Sequence, residues 1–139
     1  MITTAFVNYA LEHGWEVISK QASATQTNNI VLFNKDELHF IFIHNKDDDP
    51  NYFEIILPDI DDVISDNIEQ SELLSTLNRE YKTGKVIMEN NQIALSFEQY
   101  VFSDINITKL FEQAIGCLEA MIREYRKTMR IVKQNTQNS

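Results

Sequence analysis

The sequence predicts an α+β domain in which an antiparallel sheet of five to six strands is flanked by helices. Residues 107–129 repeat apolar side chains at intervals of three and four, which is typical of a long amphipathic helix. Residues 30–43 and 85–98 each contain two apolar runs separated by turn-forming residues, which is typical of β-hairpins. The predicted order is helix, three or four strands, helix, two strands, helix.

The length and composition indicate one domain. The chain has 139 residues, of which 43% are hydrophobic and 24% are charged, and it contains only 3 Gly and 2 Pro. These values leave little material for a linker or a second domain. We expect a single domain over residues 1–133 and a disordered polar tail over residues 134–139.

The first elements are a helix and a short strand. Residues 1–13 place one apolar stripe on a helix, with Gly14 as its stop; the stripe contains Ile2, Phe6, Tyr9 and Ala10. Residues 15–19 predict a strand, and the polar residues 21–29 predict a loop.

The next segment predicts a hairpin and a further strand. Residues 30–33 and 38–43 form the two arms around the turn residues 34–37, and residues 52–57 form a strand that ends at Pro58. These strands carry apolar residues on both faces, so we expect the sheet to be covered on both sides.

A middle helix is predicted after Pro58, with acidic and capping residues at its start and Gly84 at its end. Its N-terminal residues are Asp61, Asp62, Ser65 and Asp66, and its apolar stripe is Ile64, Ile68, Leu74, Leu77 and Tyr81. Residues 85–89 and 92–98 then form a hairpin around Asn90 and Asn91, which tolerate the left-handed backbone of a two-residue turn.

The charge pattern limits the possible partners. The net charge is −9, and residues 47–72 contain ten acidic residues and no Lys or Arg. This field repels phosphate groups, so we expect no binding of nucleic acid or membranes. The basic cluster over residues 123–133 is interpreted as the cationic end of the last helix. The N-terminal residues resemble no secretory signal and Cys117 is the single cysteine, so we expect a cytoplasmic protein.

No sequence motif for catalysis or for a cofactor is present. Isolated glycines form no phosphate-binding loop, and His39 and His44 are five residues apart on one strand, so they point to opposite faces. Cys117 lies among apolar residues of a helix, where cysteine is usually a small buried hydrophobe. We therefore predict no enzyme, no cofactor and no metal, with an enzyme that uses His39 or His44 beside carboxylates as an alternative.

The strands carry more apolar residues than one face of the sheet can bury. If Leu38, Phe40 and Phe42 face the long helix, the intervening side chains lie on the opposite face. The candidate partner or dimer surface consists of Ile41, Ile43, Ile56, Ile87, Ala94 and Ser96. The alternative is that other helices of the same chain cover these residues.

Residues 60–125 resemble a YbjN-type domain, a family related in fold to the type III secretion chaperones. The resemblance depends on the end of the middle helix at Leu74, Leu77 and Asn78, on Gly84, and on the hairpin followed by a long helix that starts near Thr108. It implies a sheet flanked by helices, often in a homodimer, with no catalytic residues. Secretion chaperones are small, acidic and cytoplasmic, and they bind an extended client segment along apolar patches.

Two functions follow as hypotheses. The first is a non-enzymatic, chaperone-like module that binds a partner polypeptide through an apolar surface of the sheet or helices, and the family resemblance implies a homodimer. The second is a YbjN-like regulatory or sensory domain that binds a folded partner or a small ligand in a pocket.

Overall fold

A computed structural model describes residues 1–21, 28–102 and 106–137. The fold is α+β, and its element order agrees with the predicted one. The helices are α1 (Ile2–Glu12), α2 (Ile68–Glu80) and α3 (Ile107–Gln137). The strands are β1 (Glu16–Gln21), β2 (Asn28–Lys35), β3 (Leu38–Asn45), β4 (Tyr52–Asp62), β5 (Gly84–Glu89) and β6 (Gln92–Tyr100). They form one antiparallel sheet in the order β1-β2-β3-β4-β6-β5.

Two tight turns fix the register of the hairpins. Asp36 and Glu37 connect β2 to β3 with φ angles of 50° and 68°, and Asn90 and Asn91 connect β5 to β6 with φ angles of 54° and 62°. Positive φ at both central residues is the geometry that matches the twist of paired strands. The predicted Asn90-Asn91 turn is confirmed. The other turn is shorter than predicted, since residues 34 and 35 belong to β2.

The prediction that Pro58 ends a strand is wrong. β4 continues to Asp62, and its pairing with β6 is irregular between Leu57 and Asp61. A bulge tolerates proline because the missing N–H is not needed for a regular ladder bond. Asp59, at a φ of 51°, also lies in this irregular segment.

The predicted start of the middle helix is also wrong. Asp61 and Asp62 belong to β4, and α2 begins at Ile68 with Asn67 as its N-cap, whose side chain accepts a 2.8 Å hydrogen bond from the Gln70 N–H. The predicted stripe included Ile64 and Ile68, but these are exposed, and the buried face of α2 consists of Gln70, Leu73, Leu74 and Leu77. The helix ends at Glu80, so Gly84 is not its stop but the first residue of β5.

Aromatic side chains join the helices to one face of the sheet. Phe111 of α3 lies 5.1 Å from Phe6 of α1 and 5.4 Å from Phe53 of β4 between ring centroids, and Phe6 stacks on Phe42 of β3 at 4.2 Å. All four rings are fully buried. The same core contains the buried residues of α2, so the three helices share one face. Among the residues that the structure describes, no helix packs on the opposite face, so the alternative that helices of the same chain cover it is wrong, and cover by a partner stays a prediction.

The long helix follows the predicted stripe closely. Eight of its nine predicted apolar residues are buried, and the ninth, Ile107, is partly buried. α3 continues to Gln137, through a segment for which the sequence predicted a disordered tail. The basic cluster therefore ends one turn before the end of the helix, at Lys133, which lies 3.5 Å from Asp61.

A buried polar network fixes α2 and α3 to the end of β4. Tyr125 donates a 2.7 Å hydrogen bond to Asp61 and accepts one of 3.0 Å from Gln70. Burial and the Asp61 carboxylate raise the pKa of Tyr125. Burial opposes ionisation of Asp61, but hydrogen bonds from Tyr125 and the Asp62 N–H, together with Lys133, lower its pKa. The Asp61 carboxylate therefore stabilises the fold at pH values above the pKa that Asp61 has in the unfolded chain. This stabilisation is lost as the pH falls through the lower pKa that Asp61 has in the folded protein.

The β2–β3 turn supplies a test of the fold. Glu37→Gly should raise the free energy of unfolding by about 0.5–1 kcal/mol, because a left-handed backbone costs a non-glycine residue more than glycine loses in entropy. Asn91→Gly is the matched control, and its gain should be smaller since asparagine adopts this conformation at lower cost. Urea denaturation measures both. A loss of stability in Glu37→Gly would contradict the described turn.

Candidate partner-binding site

The face of the sheet opposite the helices, called here the open face, carries apolar residues on five of its six strands, called here the apolar band. Directly paired residues share a face, and the pairing places Leu32, Ile41 and Ile56 in one row across β2, β3 and β4. Ile30 and Ile43 form the next row, and Ile87 pairs with Ala94 at the other end of the sheet. The band extends across five strands.

Residues of the band are only partly buried. Their neighbours along each strand, such as Val31, Phe42 and Ile55, are fully buried and belong to the core. The band residues are half-buried, and none of them belongs to the core cluster or packs against it. Branched side chains that screen one another in a sheet still leave one side in contact with water. A contiguous apolar surface of this kind is typical of an interaction site.

All six residues of the predicted partner surface lie on the open face. Ile41, Ile43, Ile56, Ile87 and Ala94 are half-buried, whereas Ser96 is fully buried among its neighbours. Whether they bind a partner remains a prediction. Sequence reasoning missed Ile30 and Leu32, although the register of a two-residue turn would have paired them with Ile43 and Ile41.

Two carboxyl groups lie side by side at the border of the band. Glu54 of β4 is directly opposite Glu98 of β6, and like charges in this position are unfavourable. Ser96 donates a 2.7 Å hydrogen bond to Glu54, and the Lys85 ammonium lies 2.8 Å from Glu98. The Glu98 side chain is 28% exposed and that of Lys85 is 50% exposed. Lys85 is therefore the cation next to both carboxyl groups.

The pKa values of the two carboxyl groups shift in opposite directions. Burial, and the hydrogen bond and charge of Glu98, raise the pKa of Glu54 against the opposing effects of Ser96 and Lys85. Burial also acts against ionisation of Glu98, but hydrogen bonds from Lys85, Tyr52 and Glu54 lower its pKa. Burial and the Glu98 carboxylate raise the pKa of Tyr52 as well.

The histidines lie apart, as the sequence predicted. His39 is exposed on the open face, where its Nδ1 contacts Asn34 Oδ1 at 2.5 Å. His44 is buried on the helix face: its Nε2 donates to the Pro50 carbonyl at 2.8 Å, and its Nδ1 is 2.7 Å from Thr3 Oγ1. This network fixes α1 to β3. Within the described residues, no group of three or more His, Cys, Asp or Glu side chains is arranged to hold a metal ion.

Cys117 has the surroundings of a packed thiol. Its Sγ lies 3.9 Å from Met121 Sδ inside α3, and burial raises its pKa, which favours the unreactive thiol over the thiolate. The absence of a side chain at Gly84 leaves room for Cys117 and Met121, because a Cβ at Gly84 would lie 2.9 Å from Cys117 Sγ and would also collide with Met121. Gly84 thus lets β5 approach α3 closely.

A groove with a volume of about 980 Å³ lies between α1 and the first turns of α3. Its walls include Tyr9, Trp15 and Gly116, together with a 2.6 Å ion pair between Lys35 and Glu119. This is the size of a small-molecule site, although the groove is wide and open.

Comparisons with models of known protein families, with curated proteins and with solved structures find no match. None of the helices in the described part of the chain is both long and apolar enough to span a membrane.

The carboxyl pair predicts a pH-dependent stability difference. The raised pKa of Glu54 means that its protonated form stabilises the fold below the unfolded pKa, and that this stabilisation is lost as the pH rises through the folded pKa. Glu54→Gln removes the repulsion, so it should raise the free energy of unfolding at pH 7.5 by about 0.5–1 kcal/mol. The gain should shrink toward zero near pH 4.

Glu89→Gln is the control, since Glu89 lies on the same face opposite Gln92 rather than a carboxylate. It should leave the free energy of unfolding unchanged at both pH values in urea denaturation. A stability gain for Glu54→Gln that is equal at pH 4 and pH 7.5 would show that the two glutamates do not share a proton.

Proposed function

We propose that the protein is a non-enzymatic, chaperone-like module of the cytoplasm that binds a partner polypeptide through the open face of its sheet. The observation that carries this proposal is the apolar band over β2, β3, β4, β5 and β6, which lies outside the core and has no helix over it among the described residues. Covering such a band removes apolar area from water, which is the main driving force of polypeptide association. The resemblance to YbjN-type and secretion-chaperone domains points to the same function.

The shape of the surface suits a polypeptide better than a small molecule. The band is made of side chains from neighbouring strands of the sheet, whereas small ligands bind in concave sites that enclose most of their surface. A partner could lay a helix or an extended segment across the rows of isoleucines. A second copy of the chain is another occupant, as the family resemblance implies, and it would form a homodimer through the same face.

A regulatory domain that binds a small ligand is the second candidate function. The groove between α1 and α3 favours it, since aromatic side chains and an ion pair line the same space. The two candidates use different surfaces, so substitutions can separate them.

The test replaces the paired residues Ile41 and Ile56 together. The double variant Ile41→Thr/Ile56→Thr keeps strand-forming side chains and the net charge, but removes apolar contact worth about 2 kcal/mol in total. Partner binding should weaken about thirtyfold. The measurement is affinity capture from native cytosol, quantified against the wild type, with the solution mass from light scattering to detect a homodimer.

The matched control is Ile68→Thr/Ile131→Thr, which makes the same exchange at two exposed positions on α2 and α3. It should capture the partner as the wild type does. Equal capture by both double variants would refute binding through the open face. Capture lost only with substitutions in the groove, such as Trp15→Ala, would favour the regulatory function.

A further inference from the structure

We propose that the segment bound on the open face carries a lysine or arginine side chain between apolar residues, and that this cation binds between Glu54 and Glu98. This inference rests on the proposed function, because it specifies the chemistry of the partner at the same surface. It follows from the position of the carboxyl pair and from the charge of the face.

The carboxyl pair lies where a bound segment must cover it. Glu54 is flanked across the sheet by Ile43 on β3 and by Glu98 on β6, and Ile56 follows it on the same face of β4. A segment that covers the isoleucines therefore also excludes water from both carboxyl groups. A charged group that loses water is strongly unfavourable unless an opposite charge replaces it.

Among the described residues, the protein supplies one cation to this pair of carboxyl groups. The groups that face Glu54 are Tyr52 from its own strand, Ile43 from β3, Ser96 and Glu98 from β6, and Lys85 from β5. Lys85 is the one cation among them, and it already forms an ion pair with Glu98. A neutral apolar partner would leave one carboxyl group buried without a cation, whereas a guanidinium or ammonium group would complete the pair.

The rest of the face has the same sign of charge. Among strand residues with described side chains, Glu16, Asp62 and Glu89 also lie on this face, since their pairing partners Asn34 and Gln92 do. A second copy of the chain would bring the same carboxylates against them, and each copy has a net charge of −9. A basic, apolar segment of another protein has the complementary charge, so it is favoured over self-association.

The titration of Glu54 gives the interaction a distinct signature. Burial and the neighbouring Glu98 raise the pKa of Glu54, and an arriving cation would lower it, so within the pH range in which Glu54 titrates the cation would displace a proton. Binding should therefore release a proton, and the affinity should increase with pH over the range in which Glu54 titrates. An apolar segment without a cation would favour the protonated pair, and its affinity would fall with rising pH.

The experiment is a selection from a displayed library of random 12-residue peptides on the wild-type protein at pH 7.5, with counter-selection on Ile41→Thr/Ile56→Thr. We expect enriched peptides to contain one Lys or Arg flanked by apolar residues. Exchange of that residue for norleucine should weaken binding at least tenfold, and so should Glu54→Gln/Glu98→Gln, whereas Glu72→Gln, at an exposed position on α2, should not. Calorimetry in buffers of different ionisation enthalpy should detect proton release within the pH range in which Glu54 titrates.

The outcomes separate the two proposals. Enriched peptides that lack a basic residue, and that lose affinity with the isoleucine substitutions but not with the glutamine ones, overturn this inference and leave the proposed function in place. The absence of any peptide that prefers the wild type over the counter-selection variant overturns both. A homodimer that Ile41→Thr/Ile56→Thr dissociates would assign the face to a second copy and refute the basic partner. The norleucine exchange leaves the protein unchanged, so it decides the question even if a glutamine variant fails to fold.

Discussion

Packing of α3 on the sheet through Phe111 is the contact on which the rest of the structure depends. Its ring meets Phe6, Phe42 and Phe53, and it thereby joins α1, β3 and β4 in one fully buried cluster. A 31-residue helix with a single apolar stripe can bury that stripe against one surface only. Because α1 and α2 pack against the same helix, the helical layer lies on one face of the sheet. The open face is a direct consequence of this arrangement.

Strand propensity alone does not explain the composition of the open face. Isoleucine is favoured in strands because branched side chains suit a half-buried pleated surface, so Ile41 and Ile56 have a structural reason to be there. The position of Glu54 opposite Glu98 has no such structural reason, because a cross-strand pair of like charges destabilises the sheet and glutamate is a poor strand former. Residues that destabilise the fold locally are concentrated at functional sites. The carboxyl pair is therefore the strongest argument that the open face is a functional site.

Local patterns in the sequence predicted most of the fold. The α3 stripe and the Asn90-Asn91 turn depend on residues close in sequence, and both are confirmed. The course of β4 beyond Pro58 depends on a bulge against β6, which no local pattern indicates. The same pairing brings Glu54 beside Glu98, which is 44 residues away in the sequence. The carboxyl pair could therefore not be predicted from local sequence patterns, whereas the isoleucines around it could.

The combination of an apolar band and an acidic pair also bears on selectivity. An apolar surface alone would accept any apolar segment, including a second copy of the chain, because the hydrophobic effect is not directional. A polar partner without a cation would gain little from the two carboxyl groups at the border of the band. A purely apolar partner would remove water from Glu54 and Glu98 without replacing it by an opposite charge. Charged residues that face outward from a sheet are a known device against unwanted association. If the open face binds a partner as proposed, the carboxyl pair would narrow the range of partners by making the wrong ones unfavourable, at the expense of some stability in the free protein.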